Sequence, residues 1–493
     1  MKKNKFEILV FLCGAMSMSL ELVAARIFSP YVGSSNLVWT TIIGMILIFM
    51  SIGYSIGGKV ADKRQDKKVL RVLFYISLFY ISILPILELE LLEPFASIGL
   101  PLPVTGIIMS IFLFGFPSFV FAFVSPFAVK LKQVSSDDNK EKIGEISGRM
   151  SSFSTIGSIL GTFLTGFFLI PTIGTKGMIL LITILIEILI VALEEKNDLK
   201  MLLKHIIIIG ILVGLFSLGN FLYSVKHPEI IKDVDSEYSR IQVKEIANIN
   251  GDKVKFMQVG NEGAESVVYE QTGEIGKYLY YYDLPKYYLN NYNSVLMIGG
   301  AAYTYPTYFY EKEENKDIKM DVVEIDKVMT EIAVDDFNLD LSNPSLGVIH
   351  QDGRSYINYT DKKYDTILVD AFKGVSAPFE LTTYEACKKM YNILNESGLV
   401  ITNVVSARNG KDAKFLEHEF ATYKAVFDDV KLFKVRPELD DLEKQNFILI
   451  GIKGKLNTND ANENLYKNLL DTEIFGYTSD KEISTDNLAQ IGD

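Results

Sequence analysis

Hydrophobic positions are distributed unevenly along the 493 residues. Up to about Val225 the chain consists of long apolar runs, and beyond that point apolar residues occur in short groups between charged ones. A helix needs about 20 consecutive apolar residues to cross a membrane. Seven stretches approach that length, near 7–26, 38–58, 70–91, 105–129, 152–172, 176–194 and 203–224. We therefore predict a transmembrane domain of about seven helices over residues 1–225.

Glycines recur at a spacing of four inside these runs, at Gly53 and Gly57 and again at Gly157 and Gly161. Small residues at this spacing allow helix backbones to approach closely in lipid. We predict helix packing at these positions, and a sliding or gating surface is the alternative.

Three ionisable residues lie within or at the end of the apolar runs. Glu21 and Arg26 come at the end of the first run, and Glu187 lies inside the sixth. Charged groups at membrane depth are costly and usually face a cavity or a partner. Glu21 and Arg26 could pair near the interface or take part in transport, whereas Glu187 is the stronger functional candidate.

After Val225 the pattern changes to the alternation of strands. Ile241 and Val243 alternate with polar residues, a turn follows at Asn250-Gly251, and Val254 begins the return. This pattern predicts a β-hairpin region over 226–290.

Strand-like apolar segments then alternate with helical stretches, which predicts a mostly parallel sheet with helices on both faces. The segments are 294–300, 319–326, 348–354, 364–372 and 398–405. We predict a Rossmann-like domain over 291–460 and a polar C-terminal tail over 461–493.

Glycines and acids follow these predicted strands, where ligands of such sheets bind. They are Gly299 and Gly300, Glu324, Asp352 and Gly353, and Asp370. An acid at the position of Glu324 typically accepts hydrogen bonds from ribose hydroxyls. Each acid could instead cap a helix, but the whole ordered set predicts a nucleoside site.

Composition narrows the function further. A net charge of −12 argues against a nucleic-acid partner, which requires a basic face. Cys13 and Cys387 cannot form a disulfide framework. The four histidines show no ligand spacing, so we predict no metal.

Both halves resemble known families. The segments SEYSRIQVKE, VLMIGG, VVEID, QDGR, YDTILVDAF and LTTYEACKKM resemble those of spermidine synthases in order and spacing. GGKVADKRQDKK resembles a cytoplasmic loop of major facilitator transporters. SLELVAARIFSPYVGSS and GRMSSFSTIGSILGTFLTGFFLIPTIGT resemble the membrane part of bacterial proteins that carry a fused spermidine-synthase-like domain.

The resemblance to spermidine synthases implies decarboxylated S-adenosylmethionine as the donor. It implies that Glu324 holds the ribose, that Asp352 and Gly353 hold the adenine, and that Asp370 lies beside the reacting centre. It also implies that Gln258 contacts the donor.

The sequence departs from that family at the amine-handling positions. The aspartate of the glycine-rich loop is missing after Gly300, a second acid is replaced by Lys373, and a Tyr-Gln pair is Tyr238-Ser239. Lys373 could pair with a carboxylate of intact S-adenosylmethionine or of an acidic acceptor, since a lysine is a compact point charge. The alternative is a solvated loop lysine.

We therefore expect a membrane-embedded transferase that moves an alkyl or aminopropyl group to a small amine or another acceptor and releases methylthioadenosine. The alternatives are an S-adenosylmethionine-dependent methyltransferase and a transporter with a sensing domain that does not catalyse. Seven spans exceed what a tether needs, which favours a hydrophobic substrate, a transported product or a homodimer.

Lysine and arginine bias predicts that the N-terminal MKKNK and the regions 59–68, 130–149 and 194–205 are cytoplasmic. With seven spans, the second half of the chain would lie outside the cell. Supply of an S-adenosyl donor predicts the cytoplasm instead, so both sides of the cell membrane stay open.

Overall fold

The computed structural model describes residues 5–32, 36–92, 94–95, 98, 100–135, 142–194, 199–247, 251–260, 265–371, 378–456, 458–459 and 462–487. The chain divides into two compact units, Met1–Gln242 and Val243–Asp493. The division falls beyond the limit near residue 225 that we expected from the change in hydrophobic pattern.

The first unit is largely helical. Its helices are α1 Lys5–Val32, α2 Asn36–Lys63, α3 Lys67–Ser82, α4 Leu84–Leu87, α5 Leu102–Ser110, α6 Phe116–Ser135, α7 Ile143–Leu164, α8 Ile170–Leu193 and α9 Leu199–Lys226. Short π-helical segments continue α4, α5 and α7 at Glu88–Leu92, Ile111–Gly115 and Thr165–Leu169.

By length and composition, five described helical stretches could cross a membrane, or six if α3 and the bent segment after it count as one. This is fewer than the seven that we predicted, because Ile143–Leu193 counts once although two predicted spans fall within it. Gly174 interrupts that stretch with φ 69° and ψ 173°. At about 1.5 Å per residue, the stretch is more than twice as long as a hydrocarbon core of about 30 Å. It therefore has the length of two crossings.

Charged side chains mark one end of the helical unit. Glu7, near the start of α1, lies 3.2 Å from Lys132 and 3.4 Å from Arg149. An ion pair also joins Arg71 of α3 to Glu194, which follows α8. We call this the basic end.

A different set of contacts marks the opposite end. Arg26, late in α1, donates to the carbonyl of Glu237 at 2.5 Å. Arg240 lies 3.1 Å from Glu88, and Lys226 donates to a carbonyl of the same segment at 3.4 Å. Thr175 at the Gly174 break bonds to the 230–240 segment as well. We call this the Arg240 end.

These two sets of contacts fix the direction of the helices. Consecutive passes alternate between the ends, with one pass each in α1, α2, α3–α4, α5–α6, α7, α8 and α9. Over the described ranges, the helical unit therefore makes seven passes. It begins at the basic end, and the chain leaves α9 at the Arg240 end.

The predicted helix packing at the spaced glycines is confirmed. A Cβ added at Gly157 would lie 2.0 Å from the carbonyl oxygen of Phe11, and one at Gly57 would lie 2.5 Å from that of Phe123. Gly161 and Gly53 face neighbouring helix backbones in the same way. Only hydrogen fits in these positions, so α1 packs on α7 and α2 on α6 through glycine.

Glu187, our membrane-depth candidate, has a partner that we did not predict. Its Oε1 lies 2.6 Å from Nδ1 of His205 on α9, and both residues are 2% exposed. The far atoms of the pair, Glu187 Oε2 and His205 Nε2, are buried without a hydrogen-bond partner among the described residues.

The second unit contains most of the strands. The strands of the chain are β1 Ile230–Asp235, β2 Arg240–Ala247, β3 Lys253–Val259, β4 Glu265–Tyr269, β5 Ser294–Ile298, β6 Lys319–Val323, β7 Leu346–Ile349, β8 Tyr364–Val369, β9 Leu394–Ser406, β10 Asp429–Lys434 and β11 Gln445–Ile452. The helices among them are α10 Pro285–Tyr288, α11 Thr304–Glu311, α12 Lys327–Asp336, α13 Gly353–Tyr359, α14 Phe379–Thr382, α15 Tyr384–Ile393, α16 Lys414–Val426 and α17 Glu463–Leu470.

The strands form two sheets. The smaller one has the order β1-β2-β3-β4, and the division between the units falls inside β2. The larger one has the order β10-β11-β9-β8-β5-β6-β7. Strands β5 to β9 run parallel, and β10 and β11 add an antiparallel edge that we did not predict.

Both faces of the larger sheet are buried, which explains the continuous apolar run of β5. Val295 and Met297 pack into one core cluster, and Leu296 and Ile298 pack into another. Alternate side chains of a strand point to opposite faces, so the Rossmann-like arrangement of this unit is confirmed.

We expect Gly157→Ala to destabilise the first unit by about 1–3 kcal/mol, as overpacking does. The added methyl group would collide with the carbonyl of Phe11 and push α1 away from α7. Thermal unfolding of the detergent-solubilised chain measures the effect.

Gly210→Ala is the matched control, because a Cβ at Gly210 on α9 meets nothing within 4 Å. It should be neutral or stabilise by up to about 1 kcal/mol. Equal unfolding temperatures for the two variants would contradict the packing assignment.

Candidate functional site

The predicted site residues follow strands that are neighbours in the larger sheet. The chain moves from β5 to β6 on one side, and β8 lies on the other side of β5. Ligands of open parallel sheets bind at such a reversal, outside the carboxyl ends of the strands. Asp370 donates its backbone N–H to Ile298 at 2.9 Å, and Gly299 donates to Val323 at 2.9 Å. The ends of β5, β6 and β8 are thereby joined.

The loop after β5 approaches the Asp370 backbone closely. Gly299 has φ +88°, and a Cβ there would lie 2.5 Å from the carbonyl oxygen of Asp370. Ala301 and Tyr303 also have positive φ, 44° and 53°. The loop therefore keeps a tight turn although it lacks the aspartate of the family pattern.

Glu324 holds this loop in place. Its Oε2 accepts the backbone N–H groups of Gly300 at 2.8 Å and Ala301 at 3.0 Å, and its Oε1 accepts that of Asp326 at 2.9 Å. Burial raises the pKa of Glu324, although these three hydrogen bonds oppose the increase. The carboxylate lies at the expected strand end, and its ribose-binding role stays a prediction.

Asp352 and Gly353 lie at the end of β7. The Asp352 side chain accepts the N–H of Ser355 at 2.7 Å and so caps α13, which is the alternative that we considered for these acids. A Cβ at Gly353 would lie 2.5 Å from Cγ2 of Ile298. The turn therefore lies against the end of β5, beside the glycine loop.

Asp370 is contacted by side chains that sequence reasoning missed. Tyr278 donates its hydroxyl to Oδ2 of Asp370 at 3.2 Å, and Asn403 donates its amide to Oδ1 at 3.2 Å. Asn446 donates to the Asn403 side chain at 2.9 Å and orients it. One signal was available for Asn403, since a buried polar side chain in an apolar strand needs a partner.

The carboxyl of Asp370 binds a proton more tightly than an ordinary aspartate does. Burial raises its pKa to about 6, and the hydrogen bonds from Asn403 and Tyr278 limit that increase. Near neutral pH such a group is mostly ionised but can accept a proton, which suits a general base.

The two remaining predicted residues lie elsewhere. Gln258 is on β3, where its amide donates to the carbonyl of Gly260 at 3.2 Å. The paired strand β4 carries Ser266, whose hydroxyl accepts the N–H of Ala302 at 3.1 Å. Gln258 is therefore one strand away from a contact with the glycine loop. Lys373 lies outside the described residues.

Among the described residues, no group of three or more His, Cys, Asp or Glu side chains could hold a metal ion. The acids of this edge are separated along different strands and are bonded to backbone or side-chain donors.

A mostly parallel sheet with a glycine turn and acids at its carboxyl edge is typical of Rossmann-like nucleotide-binding domains. Residues 280–433 match the family described as the spermine/spermidine synthase domain. This match lies within the second unit and includes the strand ends that carry Gly299, Glu324, Asp352 and Asp370.

Individual relatives of this chain are named polyamine aminopropyltransferases. A polyamine aminopropyltransferase of Vibrio vulnificus is 37% identical over 122 residues, 24% of this chain and 39% of that protein. A probable polyamine aminopropyl transferase of Bifidobacterium longum is 27% identical over 179 residues, 36% of this chain and 38% of that protein. This chain thus spans about two fifths of the length of these two relatives.

A solved structure is also similar. It is a probable spermidine synthase from Corynebacterium glutamicum, with 17% sequence identity and a TM-score of 0.39. The similarity covers 52% of this chain and 98% of that one.

The raised pKa of Asp370 makes stability depend on pH. A proton bound to Asp370 stabilises the folded state. This effect is complete below pH 3.8, which is the ordinary pKa of the group, and it is lost as the pH rises through about 6. Relative to Asp370→Asn, the wild-type chain should lose at most about 3 kcal/mol between pH 4 and pH 7. Urea denaturation of the detergent-solubilised chain at several pH values measures this difference.

Asp340→Asn is the control, because hydrogen bonds from Ser342 lower the pKa of the exposed Asp340. The free energy of unfolding of the wild type relative to Asp340→Asn should change with pH in the opposite direction. A pH-independent difference for Asp370→Asn would show that the carboxyl titrates normally.

Proposed function

We propose that this protein is a membrane-embedded transferase that uses an S-adenosyl-type donor and transfers an aminopropyl or related alkyl group to an amine. The observation that carries the proposal is Asp370, a carboxylate with a pKa of about 6 beside the glycine loop. The spermidine synthase domain over 280–433 supports the same reaction class.

The proposed reaction requires alignment and removal of a proton. The nitrogen of the acceptor attacks the carbon next to the sulfonium, a C–N bond forms, the C–S bond breaks, and methylthioadenosine leaves as a neutral molecule. A free alkylammonium has a pKa of about 10, so it must lose a proton to attack. Asp370 takes that proton, while Tyr278 and Asn403 hold the carboxylate in position.

The donor would lie along the carboxyl edge of the sheet. Gly299 and Gly300 provide a backbone surface that a ligand can approach, and Glu324 lies where ribose hydroxyls are expected. Asp352 and Gly353 would border the adenine, next to the end of β5.

Lys373 is the proposed determinant of the donor or the acceptor. A lysine at a position where the resemblance implies an acid would repel a cationic diamine and attract a carboxylate. We propose that this carboxylate belongs to intact S-adenosylmethionine or to an acidic acceptor.

Surface hydrophobicity supports membrane embedding. Helix α9 is strongly apolar, and only 11% of its most apolar stretch is buried within the structure. Its exposed side chains include Ile206, Ile207, Ile211 and Phe221. Exposed apolar surface of this extent is typical of a lipid-facing or protein-facing helix.

The arrangement of charges bears on which end of the helical unit would face the cytoplasm. Lysines and arginines gather at the basic end, which the positive-inside rule predicts to be cytoplasmic. The chain leaves α9 at the other end, so under this rule the second unit is attached on the outer side. The donor would then have to be supplied there.

One observation favours a second candidate function, a transporter with a sensing domain. The buried Glu187–His205 pair lies within the helical passes, and such groups commonly mark ion or proton pathways. A measurement of catalytic turnover would distinguish this candidate from the transferase, because a sensing domain would not form product.

The decisive experiment identifies the reaction product. Protein extracted with detergent from washed membranes is incubated with S-adenosylmethionine, and separately with decarboxylated S-adenosylmethionine and putrescine. We expect mass spectrometry to detect methylthioadenosine. S-adenosylhomocysteine would instead mean methyl transfer, and absence of both products with retained nucleoside binding would favour the sensor.

Asp370→Asn should lower kcat about 10²–10⁴-fold, as expected for loss of a general base. In the wild-type enzyme, kcat/KM should fall as the pH decreases through about 6, because Asp370 becomes protonated. Asp340→Asn should leave both quantities unchanged. An unaltered kcat in Asp370→Asn would remove Asp370 from the mechanism.

Lys373→Ala tests the proposed carboxylate contact. Its affinity for S-adenosylmethionine should fall about tenfold relative to that for the decarboxylated donor, as for a lost charged hydrogen bond. Lys388→Ala, which removes an exposed lysine on α15, should keep the ratio. A constant ratio in Lys373→Ala, measured by calorimetry, would contradict pairing with the donor.

A further inference from the structure

A cavity of about 280 Å³ lies in the first unit, at the Arg240 end. Its charged and hydroxyl-bearing lining residues are Glu88, Thr172, Thr175, Lys176, Asp233, Asp235 and Arg240. All of its lining residues belong to the helical unit, and none of them is among the predicted site residues of the second unit.

The two cations of the cavity are already paired. Arg240 donates to both carboxylate oxygens of Asp233, at 2.9 and 2.8 Å, and lies 3.1 Å from Glu88. Lys176 lies 3.3 Å from Asp233. Burial would raise the pKa of Asp233, but Arg240 and Lys176 outweigh it and lower the pKa to about 2. These groups neutralise one another and do not form an anion site.

Asp235 is different. Its Oδ2 accepts the backbone N–H of Thr175 at 2.7 Å, just after the break at Gly174. Its Oδ1 is buried and has no hydrogen-bond partner within the described ranges. The Thr175 hydroxyl oxygen is likewise buried and unpartnered there, and this residue is 4% exposed. Two residues that line the cavity therefore each have a buried oxygen without a hydrogen-bond partner among the described residues.

The charged side chains that line the cavity also favour a bound cation. Three carboxylates, those of Glu88, Asp233 and Asp235, face two cations, Lys176 and Arg240. A buried carboxylate oxygen without a hydrogen-bond donor is costly, so a bound cation would stabilise this arrangement. A role in capping the helix after Gly174 accounts for the hydrogen bond to Oδ2 of Asp235, but it gives Oδ1 no partner.

The remaining walls indicate the kind of cation. Ile27, Pro85 and Ile179 supply apolar surface. The volume is close to the lower limit of small-molecule sites, about 300 Å³, and far exceeds that of a bare metal ion. An alkyl chain that carries an ammonium group fits both the apolar walls and the two acceptors.

We propose that this cavity binds a small aliphatic amine, whose ammonium group donates hydrogen bonds to Oδ1 of Asp235 and to the hydroxyl of Thr175. The site does not depend on the chemistry of the second unit, and it would exist whatever reaction that unit catalyses.

Equilibrium dialysis with radiolabelled putrescine tests the site in the full-length chain in detergent. Every protein carries Asp370→Asn, so that amine binding at the sheet edge is weakened equally in all samples. Asp235→Asn keeps an acceptor for the Thr175 N–H but removes the charge, and should weaken binding more than tenfold. Thr175→Val should weaken it about tenfold, as for a lost hydrogen bond to a charged group.

Asp62→Asn is the matched control, because it removes a carboxylate of the helical unit that is 72% exposed at its side chain and lies outside the cavity. It should bind putrescine as the parent does. If Asp235→Asn unfolds, as judged by size-exclusion chromatography, Thr175→Val decides. Unchanged affinity in the folded cavity variants, or no binding by the parent, would overturn the proposal. Because product formation is not measured, failure of the proposed transferase reaction would leave this result unaffected.

Discussion

One buried guanidinium group organises the Arg240 end of the helical unit. Arg240 is 5% exposed and pairs with Asp233 on β1 and with Glu88 on the π-helical segment after α4. Leaving one charge of such a group unpaired costs about 3–5 kcal/mol, so the three side chains must be placed together. The segment that follows α9 is thereby fixed against the helices. The same contacts shape the cavity next to it and leave Asp235 as the carboxylate with an unused oxygen.

Glycine serves opposite purposes in the two units. At Gly157 the missing side chain lets one helix backbone lie against another. At Gly299 the missing side chain lets the chain turn with positive φ beside Asp370. The following N–H groups are then not used by a helix, and Glu324 accepts them. Close approach gives a packed helix interface in one unit and a tight turn beside Asp370 in the other.

The sequence was sufficient to predict those parts of the structure that local patterns determine. The apolar runs located the helical passes and β5 to β9, and the order of acids after those strands located the sheet edge. It was insufficient where contacts join distant segments. Tyr278 reaches Asp370 across 92 positions, and His205 meets Glu187 only because α8 and α9 pack together. The antiparallel strands β10 and β11 were missed because a short apolar run has no periodicity that separates a strand from a helix.

The seven passes have a consequence for biogenesis. If the helical unit spans a membrane and its basic end stays in the cytoplasm, the second unit is exported and matures in an oxidising compartment. That unit has a single cysteine, Cys387, which is fully buried. A lone buried thiol cannot form an intrachain disulfide within that unit, and it is shielded from external oxidants. Maturation on that side would therefore require no disulfide isomerase, and the folded unit would tolerate either redox environment.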